Sequence, residues 1–151
     1  MKNFAKNTGL IIGSILVCLI VFEAGLRIID YSHPSKMQMN NLIGWNYIPG
    51  IEGWYTREGK SYIRINSDGF NAPEFSVEKP NDVFRIVVLG DSQTASMQID
   101  YGDHFASVLE KNLSHCRLKG IEKVEVYPFG VNNFNSVQQL IALEKIALKY
   151  K

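Results

Sequence analysis

Cysteine is nearly absent. The 151 residues hold only Cys18 and Cys116, and because Cys18 lies inside an apolar run, no disulfide within a folded domain is available in any redox compartment. Cys116 then reads as a small buried or half-exposed spectator rather than a nucleophile. Metal-ligand spacing is missing as well: His33, His104 and His115 are scattered and no cysteine accompanies them, so neither a metal nor any other cofactor is expected. Charge of one sign is also lacking. Sixteen Lys and Arg against fifteen Asp and Glu leave a net charge of +1, with no basic cluster interleaved with aromatics, which sets nucleic acid aside as a partner.

What is present first is a charge-free run over residues 8–22, preceded by Lys2 and Lys6. Carried through Ile29 it makes a helix of about 22 residues and roughly 33 Å, enough for the hydrocarbon core of a bilayer. Glu23 and Arg27 sit one turn apart near its end, where pairing and snorkelling lower their cost. A cleaved signal peptide shares the basic start and the short apolar core. No small-x-small site follows, however, and the expectation is an uncleaved signal anchor over residues 1–30. The preceding lysines put the amino terminus in the cytoplasm and the chain beyond about residue 31 outside it.

Residues 31–41, with His33-Pro34-Ser35-Lys36, read as a polar linker that leaves His33 exposed. Residues 42–80 are rich in glycine and aromatics and predict short irregular strands: Ser61-Tyr62-Ile63-Arg64-Ile65-Asn66 alternates as one strand, with a turn at Asp68-Gly69. Trp45, Tyr47, Trp54 and Tyr55 either supply the core of this small prelude or form an aromatic wall for a carbohydrate, and core is the expectation.

Residues 81–151 read as strand, helix, strand, helix. A strand covers about 83–89, and Asp103 is placed as N-cap of a helix whose stripe is Phe105, Val108, Leu109 and Leu113. His104, in its first turn, is expected to be solvated or locally hydrogen-bonded rather than a catalytic base. A second strand over about 123–127 leads through a loop into a helix with Leu140, Leu143, Ala147 and Tyr150 on one face. This order makes the class α/β with a parallel sheet, and two strands alone leave an edge and a half-covered core that more chain or a partner would fill.

The chemistry gathers at Val88-Leu89-Gly90-Asp91-Ser92-Gln93-Thr94. An apolar strand ends there by presenting a serine hydroxyl at the carboxyl edge of the sheet, where open α/β folds bind ligands. Gly90 is expected to permit a tight turn, the following helix to aim free N–H groups at a developing anion, and Asp91 to hold the turn by accepting backbone hydrogen bonds. The bland alternative is that Ser92 only caps the next helix.

These residues resemble the first block of the SGNH, or GDSL-type, serine hydrolases. Glu125-Val126-Tyr127-Pro128-Phe129-Gly130-Val131-Asn132-Asn133-Phe134-Asn135-Ser136 resembles the second block. Gly44-Trp45-Asn46-Tyr47-Ile48-Pro49-Gly50 and Ile65-Asn66-Ser67-Asp68-Gly69-Phe70 are similar to the prelude of membrane-anchored members. The resemblance covers about residues 10–150. It implies the amino-terminal part of a flavodoxin-like, three-layer α/β/α fold, with Ser92 as nucleophile, the backbone N–H groups of Ser92 and of Asn133 in the oxyanion hole, and Gly90, Asp91 and Gly130 supporting the turn. The family usually has glycine where Asn133 stands, and an asparagine there tolerates positive φ while its side chain could crowd the pocket.

The implied substrate is a small acyl ester or an acetylated carbohydrate, with no cofactor and no metal. A third block with an oxyanion asparagine and a late Asp-x-x-His block do not occur before Tyr150-Lys151, so the chain is expected to be a truncated or degenerate hydrolase, inactive as it stands. Two alternatives stay open. One is a membrane-tethered module that binds acyl or carbohydrate groups without turnover, and the other is a flavodoxin-like phosphate or flavin binder, against which the acidic Asp91 counts.

Overall fold

A computed structural model describes residues 2–28, 36–116 and 119–151. Ile29 at the end of the expected span, and His33 with the rest of 31–35 in the expected linker, lie outside the described residues. The chain divides into two compact units, Met1–Ser35 and Lys36–Lys151.

The first unit is one helix, α1 (Lys2–Ile28), of which Asn3–Ile28 is long and apolar enough to cross a membrane. Ile11, Ile15, Leu16, Val17, Leu19 and Ile20 are all exposed, so the apolar surface runs around the whole helix rather than along one stripe. Near its end Arg27 pairs with Glu23 at 2.8 Å, one turn apart.

The second unit is mixed α/β. Its first part is a pair of antiparallel hairpins: β1 (Met37–Asn40) with β2 (Gly44–Tyr47), and β3 (Glu52–Tyr55) with β4 (Ser61–Arg64). β1 falls where composition places a linker. The Asn40 side chain accepts from the N–H groups of Leu42 and Ile43 and Gly44 takes φ 84°, and this local closure turns the four residues Met37-Gln38-Met39-Asn40 back onto β2. After β4 the Asn66 side chain accepts from the N–H groups of Asp68 and Phe70, making the expected turn at Asp68-Gly69.

The second part carries β5 (Val83–Gly90) and β6 (Lys123–Gly130), a parallel pair running in step from Val83 opposite Lys123 to Gly90 opposite Gly130. Between them lie α2 (Ser92–Ala95) and α3 (Phe105–Ser114), and α4 (Ser136–Lys145) follows β6. The main core joins both parts, with Ile43, Tyr47, Ile63, Ile65, Phe70, Phe129 and Val131 all buried in it.

Three local expectations are corrected. Asp103 does not cap α3; it ends a 3-10 turn, and the N-cap is His104, whose ring accepts from Ala106 N–H. With His104 drawn inside, the inward stripe of α3 becomes Ala106, Leu109 and Leu113 against Val124 and Val126, while Phe105 and Val108 turn to solvent. Ala106 lets the helix approach the sheet more closely than a larger side chain would. In α4 a capping box of Asn135 and Gln138 points Gln138 inward, so Leu140 faces solvent and the helix ends at Lys145. Ala147 and Tyr150 are buried from a separate 3-10 turn.

Candidate functional site at the strand ends

Ser92 opens α2 immediately beyond β5, half-buried. Asp91 is the N-cap and its carboxylate accepts from Gln93 N–H at 3.0 Å, which is the turn-holding role expected of it. The helix after the serine is a single turn of four residues, too short for the aligned N–H row and dipole that the strand-turn-helix pattern predicts. Gly90 and Gly130 serve packing rather than a left-handed turn. A methyl group on Gly90 would overlap Thr94 Oγ1, and one on Gly130 would overlap Ala95 N and the Thr94 backbone, so the two facing glycines let α2 lie directly across both strand ends.

Beyond Gly130 the chain makes a turn over residues 131–134, closed by Phe134 N–H donating to Val131 C=O at 3.1 Å. Asn133 has φ 63° and Asn132 does not have positive φ, the pattern of a type II turn, whose third position demands glycine or asparagine. That is the physical reason an asparagine is tolerated where the family resemblance expects glycine. Asn133 is exposed. Among the described residues, no acceptor takes the N–H of Ser92 or of Asn133, and no side chain bonds the Ser92 hydroxyl.

The prelude braces both loops, which nothing local in the sequence announces. On the serine side, Asn71 Nδ2 donates to Ala95 C=O at 2.9 Å, the Ser61 hydroxyl to Met97 C=O, and Tyr62 N–H to the Asp100 carboxylate at 2.7 Å. On the asparagine side, Trp45 Nε1 donates to Asn132 C=O at 3.1 Å, and the Tyr47 hydroxyl donates to Asn132 Oδ1 at 2.7 Å while accepting from Asn132 N–H. Gln138 Nε2 reaches Ile43 C=O at 3.0 Å. Tyr47 is core, its phenol pushed above the ordinary range by burial against the lowering effect of the Asn132 bond. Trp45 is half-buried with its ring edge-on to Phe134. Tyr47 is too buried to line a sugar site; Trp54, by contrast, is exposed, with Lys60 above its ring.

No protein-family model matches the chain, and no curated protein matches it.

The histidines are placed away from the serine hydroxyl in bonding terms. His104 is fully buried; Nδ1 accepts from Ala106 N–H, so Nε2 carries the proton and donates to Thr94 C=O at 3.0 Å. Burial holds its pKa below the usual imidazole value, against the opposing pull of the Thr94 and Ala95 carbonyls. His115 is exposed at the end of α3 with Nδ1 on Lys111 C=O at 2.6 Å. Cys116, expected to be at least half-buried, is exposed just past that helix. Among the described residues, no group of three or more His, Cys, Asp or Glu is arranged to hold a metal ion. A cavity of about 300 Å³ opens beside the amino-terminal half of β6, between Tyr101, Glu110, Lys123, Glu125 and Tyr127. Ser92 lies past the opposite, carboxyl ends of the strands.

Proposed function

We propose that this chain carries the nucleophile half of an ester-hydrolase site of the SGNH, or GDSL, type, tethered to a membrane by α1. Ser92 is the nucleophile, and the amides of Ser92 and Asn133 take up the oxyanion. The observation that carries this reading is the level pairing of Gly90 with Gly130: Ser92 and Asn133 follow at two and three residues past the ends of adjacent parallel strands, each with an N–H that has no acceptor among the described residues. A hydroxyl beside two such amides suits an acyl carbonyl, because the carbonyl oxygen gains its negative charge as the hydroxyl oxygen adds to the carbon. A small acyl ester or an acetylated carbohydrate offers that group.

The general base is not supplied by the described histidines, since His104 spends both ring nitrogens on backbone partners and the resemblance assigns the base to a late Asp-x-x-His block, none of which follows the second block in these 151 residues. Ser92 then keeps its proton, and no ester turnover through it is expected from these residues alone. The orientation follows from Lys2 and Lys6, which precede the span: the amino terminus lies in the cytoplasm and the serine-bearing unit outside it.

The test uses an activated acetyl ester on the full chain and on Ser92→Ala, with and without added imidazole, read by intact mass and peptide mapping. Imidazole takes the serine proton, the Oγ–carbon bond forms and the activated alcohol leaves with its electron pair. Wild type is expected to acquire acetyl on Ser92 only with imidazole, and a form extended by a third block and an Asp-x-x-His block to turn over through Ser92. Serine-dependent turnover by the 151 residues without imidazole would return His104 or His115 to the role of base. No acetylation of Ser92 in either form would leave a tethered binding module instead.

A further inference from the structure

The peptide unit that carries the Asn133 N–H also carries the Asn132 C=O, and a trans peptide is planar, so the two point in opposite directions and cannot be oriented independently. Trp45 Nε1 holds that carbonyl at 3.1 Å. In a turn over residues 131–134 this central peptide is the one that rotates between type I and type II geometry, with little change outside the turn. Asparagine at the third position is compatible with both forms, as glycine is, so the residue itself does not decide the matter. What decides it is the indole N–H. Tyr47 supports the same residue through Asn132 N–H and Oδ1, and the two donors come from one strand, β2, 85 and 87 positions earlier in the chain.

We infer that Trp45 is a positioning residue for the Asn133 oxyanion amide: its indole N–H, by fixing the Asn132 carbonyl, aims the Asn133 N–H away from the prelude and sets the type II turn. The role of that amide rests on the reading of Ser92 given above, whereas the orientation of the peptide does not. The prelude is thereby part of the site rather than a spacer between helix and sheet.

Trp45→Phe in the full chain tests this, because phenylalanine keeps an apolar, though smaller, ring against Phe134 and lacks the donor. Two readouts are taken. Amide NMR of the turn reports whether the Asn132 Hα lies close to the Asn133 N–H, as type II requires, and imidazole-supported acetylation of Ser92 reports the site, with Ser92→Ala as the blank. The substitution is expected to weaken the Asn132–Asn133 proximity signal. It should also slow the maximal rate of Ser92 acetylation by roughly tenfold or more, as loss of an oxyanion donor does, with half-saturation by the ester little changed. A merely structural role would move neither the turn geometry nor the rate alone in this way. A type II turn that persists in Trp45→Phe overturns the inference whatever the chemistry does. A flipped turn with unchanged acetylation also overturns it and leaves Ser92 standing. Absence of Ser92 acetylation already in wild type removes the oxyanion role by removing the reading beneath it, and is told apart from the other two by the Ser92→Ala blank.

Discussion

At neutral pH the His104 ring is held uncharged, capping α3 through Nδ1 and tying α2 through Nε2. Its pKa in the fold is depressed by burial, while in the unfolded chain it returns to about 6.5. The unfolded state therefore binds more protons between those two values, and stability rises with pH across that window. The fold is expected to be at full strength above about pH 6.5 and to lose up to about 1.4 kcal/mol per pH unit below it. His104→Gln sacrifices the cap at every pH but should flatten the slope below about pH 6.5. Denaturant titrations at several pH values check this, and parallel slopes in both proteins would show that the ring does not titrate on unfolding. The same residue shows how far sequence reaches. Local hydrogen bonding was predictable from a histidine at a helix start, whereas complete burial was not, because it depends on Tyr101 and Phe105 flanking the ring at 5.2 and 4.9 Å.

Elements whose signal is continuous were legible, and those whose signal is a distant partner were not. β5 and β6 announce themselves as apolar runs, and the Gly-Asp-Ser turn marks where the first ends. The closing pair Gly90 and Gly130 is visible in sequence as two glycines but not as facing ones. β1 was hidden because its pairing depends on the Asn40 turn, and the clamp of Trp45 and Tyr47 on Asn132 has no local periodicity at all. The strand pair also contains a buried ion pair: Arg85, its side chain 2% exposed, meets Glu125 at 2.7 Å, donates to Tyr150 C=O and Glu78 C=O, and lies over the Tyr127 ring. Burial pushes the Glu125 pKa up, but hydrogen bonds from Lys123, Arg85 and Tyr127 outweigh it and hold the carboxyl below its usual range. Arg85→Met leaves that carboxylate only Lys123 and the Tyr127 hydroxyl and should cost about 1.5–3 kcal/mol, whereas changing Arg85 and Glu125 together to apolar residues should restore most of the loss. Chemical denaturation of the full chain followed by tryptophan fluorescence measures both, and a single substitution costing under about 1 kcal/mol would mean solvent reaches Glu125 freely.

At the scale of the whole molecule, the two edges of the strand pair differ. On the outer side of β6 the Val126 N–H is taken by the Glu110 carboxylate at 2.9 Å and Pro128, two residues on and on the same side, has no N–H, so that edge is closed to further pairing. Tyr150, held by Arg85 beside the start of β5 and bonded through its hydroxyl to Asp68, ties the last turn of the chain to the prelude. The serine-bearing unit is thus braced by residues from 43 to 150, and the proposed site is assembled from the prelude, both strand ends and both following turns together. Such a unit, folded as one piece, should be released whole if the link to α1 is cut. On the proposed orientation, with the amino terminus cytoplasmic, protease added to intact spheroplasts of a bacterium expressing the chain is expected to free a fragment close to residues 36–151 while the helix stays with the membrane. A carboxyl-terminal epitope lost from the membrane fraction before lysis checks this. An epitope protected until the membrane is broken would place the unit in the cytoplasm, where Ser92 would meet intracellular esters, and a chain recovered soluble without protease would show that the apolar segment had been cleaved as a signal peptide.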